Sequence, residues 1–416
     1  MTRRRVAVTG LGMVSPLGAT AAASFEALLA GRSGLRLYQP PEASRPVSIP
    51  AGICADFDAA ASLGKARAST LDRFTQLGLA AGLEAWRDAG LAESPQEGRD
   101  DWGVAWGTGA GGAHTYERAL RELYVAGKER LAPLSVPQGM HNACASHLSI
   151  SLGLGGSSAT YSVACASSSM AIGEAYKRVR DGTAPVMIAG GSESPLAYGF
   201  IRAWLALQVL AQGDERSAPE ACRPFQRVRA GLVLAEGAAA LVLEDRERAE
   251  RRGARVYAEL TGYGESSDHG NLVRPSADGQ ARALRAALAD AQLAPEALGY
   301  VNAHATGTRE GDAIEVTALA TVLGARAPGI AVSSTKSAHG HALGAAGAIE
   351  AAISVLALHH DALPATLGRR EDLDADCAGV AHVIGEPRRG AGTRAALSNS
   401  FAFGGTNTVL VFRRAD

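Results

Sequence analysis

Three apolar segments of the chain each end near a residue that can do chemistry. Cys165 ends the run YSVAC, His304 follows YVNA, and His341 follows AVSS after a short stretch. A cysteine or histidine considered alone is more often structural than catalytic, because both residue types occur in protein interiors. Catalytic groups of open α/β sheets, however, gather at the carboxyl ends of strands, so three such junctions predict one shared site.

Cys165 is the candidate nucleophile of this site. Small residues follow it, and a helical pattern then continues through Ala171 and Ala175. A strand-to-helix turn places the thiol at a helix N-terminus, where free backbone N–H groups and the helix dipole favour the thiolate. We therefore expect a strand over 161–165, a helix over 166–180 and a reactive thiol between them.

The composition excludes several classes of protein. The 416 residues carry a formal net charge of −1, whereas nucleic-acid binders usually have a basic excess, so we expect no nucleic-acid partner. The five cysteines show no CxxC spacing, which argues against a zinc site or a disulfide framework and favours the reducing cytoplasm. The N-terminus lacks the apolar region of a signal peptide, and charges or glycines interrupt the Ala-rich segments, so we expect no membrane span.

Strand and helix patterns alternate along the chain. Apolar runs such as APVMIAGG and GAAALVLE lie between helical patterns, which predicts a mostly parallel sheet covered by helices on both faces. The charged run DRERAERRGAR at 245–255 predicts a solvated helix, and the strand–helix rhythm restarts after it. Since the chain is too long for one ordinary core, we predict two similar halves, 1–250 and 251–416.

Four motifs resemble one family over essentially the whole chain. They are VACASSS around Cys165, NAHATGTREGD around His304, STKSAHGHALGAAG around His341, and NSFAFGGTN at 399–407. In this order they resemble the β-ketoacyl-[acyl-carrier-protein] synthases of the thiolase superfamily. The resemblance implies an α/β fold of the thiolase type, duplicated and five-layered (α-β-α-β-α). It also implies a homodimer, or a heterodimer with a related ketosynthase subunit, that condenses an acyl thioester with a malonyl group on an acyl carrier protein.

The resemblance assigns catalytic roles to individual residues. Cys165 would carry the acyl group, and His304 and His341 would stabilise the enolate that forms when malonyl thioester loses CO₂. Lys336 would orient a histidine and, with Glu350, tune the charge of the site. The oxyanion hole would be the backbone N–H groups of Cys165 and Phe403, the latter in a gating turn with Ala402 and Gly404. No metal or organic cofactor is implied, because decarboxylation itself generates the carbanion and the substrates arrive on carrier phosphopantetheine.

The remaining expected site residues bind substrate or carrier. By resemblance, Thr306 and Thr308 would hydrogen-bond the phosphopantetheine amides. The acyl pocket would be lined by Ala110, Leu232 and Phe401. Because carrier proteins are acidic, a basic docking patch is expected at the pocket mouth. Its candidates are Lys65, Arg67 and Arg73.

One segment departs from the family pattern. Where the family commonly has FDxxRDGFVxGEGA, this chain has FQRVRAGLVLAEGA at 225–238. Gln226 and Ala230 replace acidic residues, Leu232 replaces an aromatic residue, and Ala402 replaces a glycine of the gating turn, which could restrict its left-handed conformations. We expect these changes to affect substrate choice and gating more than catalysis, as in a relative specialised for a polyketide or polyene pathway.

Two alternative functions remain open at this point. A chain-length factor is a catalytically silent partner of an active ketosynthase, but such subunits typically lack the cysteine that this chain retains. A thiolase would need a second catalytic cysteine in its C-terminal glycine-rich motif, where this chain has Phe403. The preferred acyl chain and the choice between homodimer and heterodimer are not determined by the sequence.

Overall fold

The computed structural model describes residues 3–41, 43–93 and 98–415. Its strands are β1 Val6–Val14, β2 Leu35–Tyr38, β3 Ile49–Gly52, β4 Gly103–Gly107, β5 Ser158–Tyr161, β6 Val186–Glu193, β7 Leu234–Ala235, β8 Gly237–Asp245, β9 Ala258–Ser267, β10 Tyr300–Asn302, β11 Ala331–Ser333, β12 Ala362–Leu363, β13 Ala381–His382, β14 Arg388–Arg389, β15 Ala395–Phe401 and β16 Thr406–Arg414. Its helices are α1 Ala21–Leu29, α2 Ala59–Leu63, α3 Lys65–Ala68, α4 Arg73–Asp88, α5 Ala113–Tyr124, α6 Ser135–Gly139, α7 Ala143–Leu152, α8 Ser167–Arg180, α9 Tyr198–Ala206, α10 Arg246–Arg251, α11 Ala277–Asp290, α12 Arg309–Leu323, α13 Lys336–His339 and α14 Ala346–His360.

The two halves of the chain repeat one strand topology. The first half has the order β1-β8-β6-β4-β5, and the second has the matching order β9-β16-β15-β10-β11, with β13 added at its edge. In each half the first two pairs are antiparallel and the next two are parallel. A short antiparallel contact between β1 and β9 connects the two sets.

The expectation of a mostly parallel sheet was therefore wrong. Of the ten neighbouring pairs in the strand order, five are antiparallel. A strand that is buried on both faces has a continuous apolar sequence whatever the direction of its neighbours, so the apolar runs predicted burial correctly and direction incorrectly.

Helices form layers around and between the two sets of strands. α4 packs on β1 and β8, and α11 packs on β9 and β16, on the outer faces. α8 and α14 contact each other in the middle, and α14 touches both β8 and β15. This arrangement confirms the duplicated, five-layered fold, and it places the starts of α8 and α14 side by side at the centre of the molecule.

One segment is apolar and long enough to cross a membrane. It covers Leu343–His360, and 89% of it is buried inside the protein. The segment contains Glu350 and two glycines, as expected for the Ala-rich segments, and a buried core helix meets the same criteria of length and composition. The burial of α14 between two sheets explains its apolar composition on every face.

The turn that carries Cys165 differs from its expected form. The strand ends at Tyr161 rather than at Cys165, and the chain reaches the cysteine through a single 3₁₀ turn, Ala164–Ala166. Ala164 adopts a left-handed φ of 50°, a conformation that costs a non-glycine residue free energy and often occurs beside functional groups. A Cβ on Gly107 would lie 2.2 Å from Ser168 N, so this glycine lets β4 approach the start of α8 and fix the turn.

Candidate active site

The three candidate catalytic side chains meet in the centre of the fold. Cys165 follows β5 and His341 follows β11, which are equivalent strands of the two halves, and His304 follows the neighbouring strand β10. His341 Nε2 lies 3.0 Å from Cys165 Sγ, and the rings of His304 and His341 are 5.3 Å apart, edge to face. All three side chains are more than nine-tenths buried, so the group forms a site with little water.

Lys336 fixes the orientation and the tautomer of His304. Its ammonium group pairs with the carboxylate of Glu350, both side chains being fully buried, and lies 3.4 Å from His304 Nδ1. An ammonium group can only donate hydrogen bonds, so Nδ1 must accept. Neutral His304 therefore carries its proton on Nε2, where the imidazole becomes a hydrogen-bond donor on its other side.

Burial keeps the resting site uncharged at the thiol and at both histidines. Desolvation raises the pKa of Cys165 to about 12, with Lys336 and the Phe403 N–H acting in the opposite direction. The expected thiolate-favouring helix start is thus outweighed by burial, and α8 begins only at Ser167, two residues later. Desolvation and the charge of Lys336 lower the pKa values of His304 and His341 well below their ordinary range. Burial therefore favours the neutral forms of all three side chains.

The same three side chains could geometrically share a cation. One donor atom each from Cys165, His304 and His341 lies within 4.8 Å of the others. The Lys336 ammonium 3.4 Å from His304 Nδ1 adds a fixed positive charge at this place, which opposes binding of a second cation. The donor set fits a nucleophile beside two hydrogen-bond donors better than a metal centre.

The turn between β15 and β16 supplies a further donor. Phe403 lines the same cavity as Cys165, and its backbone N–H lowers the pKa of that thiol against the larger effect of burial. Left-handed conformations in this turn fall on Gly404 and Gly405, with φ of 87° and 77°. Ala402 is not among the left-handed residues of the described chain, so the replacement of the family glycine is compatible with the turn as it stands.

Buried carboxylates hold the loop of His304. Glu315 accepts hydrogen bonds from the backbone N–H groups of His304 and Ala305, at 2.9 and 2.7 Å. Asp312 accepts from Gly307 N at 3.1 Å. The negative groups therefore anchor the loop that presents the histidine.

Glu193 is a site residue that the sequence did not reveal. It ends β6, is fully buried, and accepts hydrogen bonds from Ala110 N and Gly344 N at 3.0 Å each, with further bonds from Thr108 Oγ1 and Gly109 N. Burial raises its pKa to about 7, against the effect of these donors. The carboxylate ties the loop after β4 to the segment after His341, so it joins the two halves at the site.

We expect Glu193→Gln to lower the free energy of unfolding by about 1–3 kcal/mol, because the new amide NH₂ faces backbone donors and leaves them unsatisfied. Urea unfolding followed by circular dichroism measures this change. Glu250→Gln is the matched control, since Glu250 is 54% exposed in its pair with Arg246 and an exposed pair contributes little. An unfolding midpoint of Glu193→Gln equal to that of wild type would contradict the role of the carboxylate.

A cavity of about 300 Å³ opens onto Cys165, His304 and His341. Four expected substrate-binding residues line it: Thr306, Thr308, Leu232 and Phe401. So do the expected turn residues Ala402 and Phe403 and an aromatic residue that sequence analysis missed, Trp204. Ala110 does not line this cavity, and its backbone N–H is engaged by Glu193.

The three basic residues expected at the docking patch differ in how far their charged groups are exposed to a carrier protein. Lys65 is exposed at the start of α3, and Arg67 is partly exposed and donates to the Ser151 hydroxyl. Arg73 is turned inward, where its guanidinium pairs with buried Glu236 at 2.8 Å. None of the three lines the cavity, and the charge of Arg73 is already compensated.

The divergent segment 225–238 lies against the backbone of His341. His341 N donates to Val233 O at 2.7 Å, and Ala235 N donates to His341 O at 3.0 Å. Gln226 is buried outside the cavity, and its Nε2 has no hydrogen-bond partner among the described residues. Ala230 is exposed, so of the replaced residues in this segment only Leu232 reaches the pocket.

Together, the duplicated fold and the grouping of a cysteine and two histidines near its strand ends match the thiolase type of acyltransferase. Family models for the beta-ketoacyl synthase N-terminal and C-terminal domains match residues 3–249 and 257–369. The chain is 40% identical to the 3-oxoacyl-[acyl-carrier-protein] synthase 2 of Vibrio cholerae over the full length of both. It is 39% identical to nodulation protein E of a Rhizobium species over 99% of each chain.

Solved structures show the same likeness. A beta-ketoacyl synthase from Burkholderia phymatum superposes with a TM-score of 0.90 at 35% identity, over 99% of this chain and all of the other. A second solved structure is a type II PKS acyl-carrier protein in complex with its ketosynthase, bound to the hexaketide. A chain of that complex superposes with a TM-score of 0.89 at 30% identity, over the full length of both chains. The chain belongs to the β-ketoacyl synthase family, whose members are acyltransferases that form carbon–carbon bonds.

Proposed function

We propose that the protein extends an acyl chain by decarboxylative condensation with a malonyl group on an acyl carrier protein. The observation that carries this proposal is the contact of 3.0 Å between Cys165 Sγ and His341 Nε2, with His304 beside it and its tautomer set by Lys336. The same cavity contains the nucleophile, the donors for an oxyanion and the donors for an enolate, as two successive half-reactions require.

The first half-reaction moves the acyl group onto the enzyme. Cys165 Sγ attacks the carbonyl carbon of the acyl thioester, and the oxyanion receives hydrogen bonds from the backbone N–H groups of Cys165 and Phe403. The bond to the carrier sulfur then breaks. The proton of Cys165 ends on the departing carrier thiol, and His341 keeps its own proton on Nε2.

The second half-reaction forms the carbon–carbon bond. The malonyl group loses CO₂, and the electron pair of the broken bond becomes an enolate whose oxygen accepts hydrogen bonds from His304 Nε2 and His341 Nε2. The enolate carbon attacks the acyl group on Cys165, and the bond from that carbonyl to Sγ breaks. The thiolate then takes up a proton from water. This sequence needs no metal and no organic cofactor. Thr306 and Thr308, with their hydroxyls 3.3 Å apart, would hold the phosphopantetheine arm.

The proposed partners are an acidic carrier protein and a second ketosynthase chain. Lys65 and Arg67 are the proposed carrier contacts, because their side chains reach the surface. The outer edge of β5 has no neighbouring strand among the described residues. Large apolar side chains are also exposed in the same half of the chain; Tyr124 and Val125, for example, are 78% and 81% exposed. We propose that a second copy, or a related subunit, covers this face. All five cysteines are free, consistent with work in the cytoplasm.

The substrate is proposed to be that of a specialised pathway, polyketide or polyene, rather than of housekeeping fatty-acid synthesis. Leu232 supports this, because it places an aliphatic side chain in the cavity wall where the family commonly has an aromatic one. The silent chain-length factor is the weaker candidate. The Cys165–His341 contact and the Lys336–Glu350 pair are complete here, and a subunit without chemistry has no need of them.

A panel of acyl carrier proteins tests the function. Carriers loaded with saturated, unsaturated and β-ketoacyl chains of several lengths are incubated with the purified protein, and intact mass spectrometry measures transfer. We expect Cys165 to gain the mass of the preferred acyl group, and malonyl-carrier protein then to remove it as a chain two carbons longer. An unmodified thiol across the panel, with and without a candidate partner chain, would refute the enzymatic function.

A further inference from the structure

Two aromatic rings stack at the entrance to the catalytic cavity. The rings of Trp204 and Phe403 are 6.1 Å apart and inclined by only 20°, within the range of favourable offset stacking. Both residues line the cavity, and both are only partly exposed. Phe403 lines this cavity together with Cys165, and its backbone N–H is the proposed oxyanion donor, so the stack connects α9 to that donor.

Helix α9, which carries Trp204, is held in place by contacts with the rest of the protein. Glu117 on α5 accepts hydrogen bonds from Tyr198 N and Gly199 N, the first residues of α9, at 3.1 and 2.7 Å. Ile201 on the same helix is fully buried in the cluster that also contains Cys165. Phe200, one turn before Trp204, supports its ring at 6.4 Å. The contacts of α9 with α5 and of Phe200 with Trp204 therefore restrict the position of the indole ring.

Backbone hydrogen bonds hold the turn on both sides of Phe403: Ala402 N donates to Thr406 O at 2.8 Å, and Gly404 N donates to Leu272 O at 2.7 Å. Gly404 is exposed, and the two glycines after Phe403 both have left-handed φ angles. Glycine-rich turns gain backbone freedom from these residues. A contact with the Phe403 ring adds a further restraint on where the Phe403 N–H points.

The geometry points to Trp204 as a positioning residue that holds the Phe403 ring and so aims its backbone N–H at the reacting carbonyl. This inference rests on the proposed function and adds a residue to it. The oxyanion donors act on the acyl carbonyl, whereas decarboxylation of the malonyl group uses His304 and His341. Loss of the stack should therefore slow transfer of the acyl group to Cys165 and spare decarboxylation.

The test measures the two half-reactions separately in Trp204→Ala, Trp204→Phe and Val209→Ala. Val209 lines the same cavity and carries no ring, so its truncation controls for a wider pocket. We expect Trp204→Ala to slow acylation of Cys165 about tenfold, which corresponds to about 1.4 kcal/mol, less than the loss of a whole oxyanion donor. Release of CO₂ from malonyl-carrier protein should stay within about twofold, and Trp204→Phe should recover most of the acylation rate.

A second measurement separates this inference from the proposed function. The rate at which iodoacetamide alkylates Cys165 at one fixed pH follows the thiolate fraction, which the Phe403 N–H increases. Trp204→Ala and Val209→Ala both widen the cavity, so we expect the Trp204 variant to react about three- to tenfold more slowly than the Val209 variant. If wild type takes an acyl group from no carrier, the proposed function fails while this comparison still decides the role of Trp204. Equal alkylation rates, or equal losses in both half-reactions, would overturn the inference.

Discussion

Replacing Cys165 with alanine should abolish transfer of any acyl group to the protein and reduce condensation by about 10⁴-fold or more, as loss of a catalytic nucleophile does in other enzymes. The reason is structural as well as chemical. The other four cysteines of the chain are all buried, and none of them lines the cavity with His304 and His341. No other thiol can therefore accept the acyl chain, and mass spectrometry should show the unmodified protein at every time point.

The same variant should still release CO₂ from malonyl-carrier protein. Decarboxylation requires donors to the enolate oxygen, and His304 and His341 remain in place when the thiol is removed. We expect a CO₂ release rate within about tenfold of wild type. Cys377→Ala is the matched control, because Cys377 is also fully buried but lies in the outer core of the second half. Acylation of the Cys165→Ala protein would show that the nucleophile had been misassigned.

Sequence reasoning predicted that Cys165, His304 and His341 would lie together, because the ends of strands can be recognised from the sequence alone. Each of Cys165, His304 and His341 follows an apolar run, and the fold brings those runs to neighbouring or equivalent positions of two similar sheets. The pairing of β15 and β16 also places the Phe403 turn beside them. Motif order was enough to predict the family, the duplicated layers and the residues that now lie within a few ångströms of one another.

The parts that sequence reasoning missed depend on long-range packing. Glu193 lies 151 residues before Gly344, whose N–H it accepts, and no local pattern predicts such a pairing. In the sequence, Trp204 resembles any aromatic residue of a helix. Its contact with Phe403 is visible only in the folded chain. The pKa of Cys165 was misjudged for a related reason. The helix start favours a thiolate, but desolvation by the surrounding core opposes it more strongly.

Removing the Lys336 ammonium should have the largest effect on stability of any single change in the site. Lys336→Met leaves Glu350 fully buried without its partner, and an uncompensated buried charge costs about 3–5 kcal/mol. Burial already raises the pKa of Glu350 to about 7 with the ammonium present. Without it the carboxyl should bind a proton more tightly. A carboxyl whose pKa is raised on folding opposes folding increasingly as pH rises from its unfolded value to its folded value.

Urea unfolding of Lys336→Met should therefore show a larger loss of stability at pH 8 than at pH 5.5. Lys177→Met is the matched control, since the pair of Lys177 with Glu174 at 2.7 Å is partly exposed and should contribute less than about 1 kcal/mol. A loss for Lys336→Met that did not depend on pH would contradict the buried charge as its cause.

The double variant Lys336→Met/Glu350→Gln separates folding from chemistry. It removes both buried charges, so we expect most of the lost stability to return. CO₂ release from malonyl-carrier protein should nevertheless stay about 10²-fold below wild type, the typical cost of one misplaced donor at a developing oxyanion. His304 Nδ1 has then lost the donor that keeps its proton on Nε2, and an imidazole in the other tautomer presents a lone pair to the enolate. Full recovery of CO₂ release would show that Lys336 acts through the stability of the site and not through the tautomer of His304.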